Sequence, residues 1–135
     1  AVAILVARAI FLAFFAMAFV FKLMNIGGTA GYIASIGFPS PIVLAWLAVI
    51  FEVLLVLGFL TGGYFAETCL LAGLYVAFLA VASHGPSTWQ GEFGQHEFRA
   101  FLLHVTLVAG LLFAAAHGPG RILASRRTII GRYPA

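Results

Sequence analysis

Four long apolar stretches, each closed by a break rich in glycine or proline, leave this chain few ways to fold. A hydrocarbon core about 30 Å thick is crossed by roughly 20 apolar residues in helix. The stretches Val2 to Asn25, Ile42 to Leu60, Tyr64 to Ser83 and Phe98 to His117 all meet that length. In lipid a segment has to satisfy its own backbone polar groups, so each is read as a helix. The breaks are Gly27, Gly28, Gly31, Gly37, Pro39 and Pro41, then Thr61, Gly62 and Gly63, then Gly85, Pro86, Gly91 and Gly94. The second is so short that its flanking helices form a tight antiparallel hairpin. Of the 135 residues 64% are hydrophobic and 8% charged, whereas a soluble domain carries about 25% charged residues. A water-soluble enzyme is excluded. The expected architecture is an all-α integral membrane bundle over residues 1–117 with a basic tail over 118–135.

The charges indicate how the spans are oriented. Arg121, Arg126, Arg127 and Arg132 all follow the last apolar run with no acid among them. Such a cluster faces anionic membrane lipids on the cytoplasmic side and does not imply nucleic acid as a partner. An inner, cytoplasmic membrane protein with four crossings and both termini in the cytoplasm is expected. Trp89 and Tyr32 then mark the outer interface and Tyr133 the inner one. Thr29 to Ile36 is too short to cross and is expected to lie in the interface. Ala16, Met17 and Ala18 resemble a signal-peptide cleavage context, but Arg8 interrupts the apolar stretch before them. The one cysteine, Cys69, permits neither an intrachain disulfide nor a CxxC pair.

Ionised groups within the spans are the first candidates for a site, because each costs at least about 2.5 kcal/mol to insert at span centre. The most informative are Arg8, Lys22, Glu52 and Glu67. Lys22 lies fourteen residues beyond Arg8, about 21 Å along a helix. Glu52 falls near the middle of the second span and Glu67 near the inner end of the third, at a depth compatible with Arg8. One reading pairs Arg8 with Glu67 or Glu52 and lets Lys22 snorkel to the surface, a structural network that fixes register. The other makes Glu52 a proton relay or binding group for a ligand from the bilayer. The Arg8 fork also suits a quinone carbonyl or a lipid phosphate. His84 and His96 are placed in the outer segment, His117 at the inner end of the fourth span, and His104 within it. No HxxxH, ExxH or CxxC pair occurs, so no metal site and no bis-histidine haem are expected. His104 is retained as a candidate because an imidazole in lipid requires a hydrogen-bond partner.

The strings RAIFLAFFAMAFVFK, GYIASIGFPSP, FEVLLVLGFLTG and AGLLFAAAHGPGR, in this order over nearly the whole chain, resemble the DoxX family of small four-span membrane proteins. The resemblance implies an up-and-down four-helix bundle, with Arg8, Lys22, Glu52 and the turn Gly118, Pro119 and Gly120 as family-type positions. The family takes its name from a subunit of a sulfur-oxidising, quinone-reducing membrane enzyme. Three functional classes follow. One is an accessory subunit of a larger quinone-linked electron-transfer complex, assembled with other integral membrane subunits. The second is a quinone-reducing subunit that oxidises a small sulfur compound such as thiosulfate, and the third is a small-molecule permease. No covalently bound cofactor is expected, with quinone or lipid as the bound group, and the sequence leaves open whether the chain is itself an enzyme.

Overall fold

The computed structural model describes residues 1–130 and 133, so Arg132 of the basic cluster lies outside the described residues. The described residues form helices and loops, without a strand. The helices are α1 (Val2–Met24), α2 (Ile26–Ser35), α3 (Pro41–Thr61), α4 (Phe65–His84) and α5 (Gly94–His117), with a single 3-10 turn at Pro86–Thr88. Four of them, α1, α3, α4 and α5, are long and apolar enough to cross a membrane. The fold is therefore all-α and membrane-spanning, and the four helices coincide with the four apolar stretches.

Two boundaries differ from the sequence expectation. The segment expected in the interface is a ten-residue helix, α2, that follows α1 after the single residue Asn25. The Asn25 side chain accepts a bond from Gly28 N at 2.9 Å, which caps the new helix. The fourth span starts about one turn earlier than Phe98, at Gly94. Its first turn is polar and reads as loop in a hydropathy scan, yet Glu97 satisfies the helix N-terminus electrostatically.

The chain divides into two compact units. In the first, Ala1–Gly63 with Gly120–Ser125, α3 packs against both α1 and α2. Phe11 and Phe15 of α1 meet the Phe59 ring with centroids 5.4 and 5.7 Å away. Arg8 reaches the same end of α3 while Lys22 reaches Glu52, so the two helices run antiparallel. In the second, Tyr64–Pro119 with the described residues from Arg126 on, α4 packs against α5. Ala72, Gly73, Val76 and Ala80 are buried along α4. At Gly73 the space a Cβ would take lies 3.9 Å from Leu111 Cβ on α5, the close approach that small residues permit.

After α5, residues 120–125 belong to the first unit and residues 118–119 and 126–130 to the second. Gly118 and Gly120 start this segment with φ of +90° and +75°, a conformation that non-glycine residues rarely adopt. Between them Pro119 is fully buried.

Candidate functional site

Arg8 leaves α1 on its buried side and is 3% exposed. It donates to backbone carbonyls: Nε to Phe59 O at 3.1 Å, Nη2 to Leu60 O at 3.0 Å and Leu123 O at 2.9 Å, and Nη1 to Ile122 O at 2.9 Å. The last four carbonyls of a helix have no partner within it. At the end of α3 all four are taken: Gly58 O by Gly62 N, Phe59 O and Leu60 O by Arg8, and Thr61 O by Ser125 N. The guanidinium also sits at the negative end of the α3 dipole. These bonds make Arg8 the C-terminal cap of α3 and the tie that holds residues 122–123. A planar fork of donors matches such a cluster of carbonyls.

Lys22 does not snorkel to the surface. Its Nζ meets Glu52 Oε1 at 2.8 Å, with the lysine side chain 25% exposed and the carboxylate 2%. Helical side chains lean toward their own N-terminus. On antiparallel α1 and α3, Lys22 therefore leans toward the level of Glu52, and Glu52 leans toward Lys22. An ion pair thus stands within the spans of α1 and α3, with the acid enclosed and the lysine side chain partly exposed.

Glu67, in the first turn of α4, holds residues 128–130. Its Oε1 accepts from Thr128 Oγ1 at 2.7 Å, Ile129 N at 2.6 Å and Ile130 N at 2.9 Å. Two further contacts secure the start of α4, with Tyr64 N donating to Arg127 O at 2.7 Å and Ala66 N to Tyr133 Oη at 2.8 Å. Its role is that of a clamp.

His104 has the partner an embedded imidazole requires, since its Nδ1 lies 2.8 Å from Ala100 O one turn back. The His104 ring also packs on His84, with centroids 4.9 Å apart and planes tilted by 54°. His84 is the last residue of α4, and its Nδ1 meets Glu97 Oε2 at 2.5 Å. Trp89 Nε1 donates to His84 O at 2.8 Å, and the indole packs edge-on against Phe98 and Phe101. Neither the His84–Glu97 pair nor the His84–His104 contact was expected from the sequence. One signal was available: Glu97 and His104 are seven residues apart and share a helix face once α5 is extended to Gly94.

Two polar centres result, Lys22–Glu52 in the first unit and His84–Glu97–His104 in the second. The first can donate a hydrogen bond from Lys22 and hold or pass a proton at Glu52, which suits a ligand carrying carbonyl oxygens. Comparison with known proteins agrees with this membrane architecture. The DoxX family model matches residues 3–85. An inner membrane protein of Escherichia coli strain K12, YphA, is 34% identical over 110 residues, covering 78% of this chain and 76% of the relative. No solved structure shows a significant match. The matched segment contains Arg8, Lys22, Glu52 and Glu67, and the chain belongs to the DoxX family of integral membrane proteins.

Proposed function

We propose that this DoxX-family protein is an accessory subunit of a larger quinone-linked electron-transfer complex in the inner membrane, and that its Lys22–Glu52 pair receives the quinone head group. The observation that carries the reading is the unequal burial of that pair, 25% for the lysine side chain and 2% for the carboxylate. A charge within a span is retained for a reason, and the first to consider is a ligand or proton path. Lys22 offers a donor to a quinone carbonyl, and Glu52 offers a proton-holding group beside it. Arg8 is committed to the α3 terminus and is assigned a structural role. With one cysteine in the chain, the electron carrier is assigned to the quinone and to partner subunits.

Extraction in mild detergent followed by native electrophoresis and quinone analysis tests the proposal. The expected result is a species well above monomer mass that retains quinone, and retains less of it when Lys22 is changed to Met. A species of monomer mass that reduces quinone with thiosulfate would replace the accessory reading with that of an independent enzyme. Solute flux in liposomes without quinone binding would favour a permease.

A further inference from the structure

The two histidines of the second unit have their hydrogen-bonding roles decided by their neighbours. Ala100 O is a carbonyl and can only accept, and an ionised Glu97 Oε2 likewise only accepts. Nδ1 is therefore the protonated nitrogen in both His84 and His104. In a neutral imidazole so held, Nε2 carries the lone pair. A carboxylate or backbone carbonyl on one ring nitrogen is the arrangement that orients histidines as metal ligands. Here it occurs twice, on rings in contact.

The centroid spacing also fits a shared ion. With metal to nitrogen bonds of about 2.1 Å and about 1.2 Å from nitrogen to ring centre, two imidazoles on one tetrahedral ion have centroids roughly 5 Å apart. The observed separation is 4.9 Å, and the 54° tilt departs from a flat stack. Both residues are half-buried. Trp89, bonded to His84 O and packed edge-on against Phe98 and Phe101, places an indole beside His84. Among the described residues no group of three or more His, Cys, Asp or Glu converges on one point, so water or an external donor completes the coordination.

We infer that Nε2 of His84 and Nε2 of His104 form a two-imidazole site for a first-row transition-metal cation, with Glu97 as the residue that positions His84. Cu2+ is the probe of choice, as it stands highest in the affinity order for nitrogen ligands. The inference rests on the second unit alone and does not depend on the quinone reading.

The test uses the full chain in detergent micelles, with Trp46→Phe removing the other of the two tryptophans. Titration with CuCl2 is expected to quench Trp89 and saturate at one ion per chain. His104→Phe is expected to raise the midpoint at least tenfold and Glu97→Gln at least threefold, while His96→Ala, at an exposed position on α5, leaves it unchanged. A smaller shift for His104→Phe, or an equal one for His96→Ala, overturns the site. Electron paramagnetic resonance of the Cu2+-loaded parent provides a check that requires no variant to fold. Hyperfine coupling from two imidazole nitrogens is expected, and coupling from one or none overturns the inference.

Discussion

Lys22 and Glu52 contribute unequally to the stability of the first unit, because burial differs between them. Removing one partner of a buried ion pair costs about 3–5 kcal/mol when the remaining charge cannot reach water. Lys22→Ala leaves the enclosed Glu52 carboxylate without that counter-ion, so a loss of about 3 kcal/mol is expected. Glu52→Gln leaves a lysine that can swing its ammonium toward the interface, and a loss of about 1 kcal/mol is expected. Thermal or denaturant unfolding of both variants in micelles is the measurement, and equal losses would refute this division. Arg8→Lys is predicted to be worse than its conserved charge suggests. An ammonium has three donors and no fixed fork, whereas the carbonyls of Phe59, Leu60, Ile122 and Leu123 are now served from one guanidinium. The expected cost is about 2 kcal/mol or more for carbonyls left unmet. Replacement of Ser125 by Ala keeps its backbone donor to Thr61 O and serves as the control that should change little.

The helix termini are where the segment after α5 acts. Span identity was legible in the sequence because length and hydropathy alone decide it, and α1, α3 and α4 begin and end within a residue or so of the apolar runs. The partners of the charges were less legible. A depth estimate places Cα atoms, whereas Lys22 and Glu52 meet through side chains that lean in opposite senses on antiparallel helices. Arg8 was harder still, since its acceptors are main-chain oxygens of residues that have no polar side chain, Phe59, Leu60, Ile122 and Leu123. No residue pattern advertises a carbonyl. The same holds for Glu67, which takes two backbone N–H groups and the Thr128 hydroxyl. Glu67→Gln keeps an acceptor oxygen but loses the charge that strengthens these bonds. Faster amide exchange at Ile129 and Ile130 is expected, by about tenfold, with exchange in the middle of α4 unchanged. Hydrogen exchange by mass spectrometry reads this directly, and unchanged protection at both amides would show that Glu67 does not hold the segment.

At the scale of the whole molecule, orientation in the membrane follows from where the cations fall relative to the spans. The connection after α1, residues 25–40, and the one after α4, residues 85–93, contain no Lys or Arg, while Arg121, Arg126, Arg127 and Arg132 all follow α5. Basic residues within about 15–20 residues of a span end bias that end toward the cytoplasm. The bond from Ser125 N to Thr61 O holds residue 125 at the end of α3, and the bond from Tyr64 N to Arg127 O holds Arg127 at the start of α4. With four crossings the N-terminus is expected on the same side. A fluorescent protein fused to the C-terminus is therefore expected to be bright and a periplasmic phosphatase fused there inactive. The reverse outcome would invert the assignment. Changing all four arginines to Gln removes the bias while leaving the apolar spans intact, so mixed or inverted insertion is expected, with both reporters partly active. If the four-Gln protein kept a single cytoplasmic C-terminus, topology would have to be set by Arg8 in the first span and not by the cations after α5.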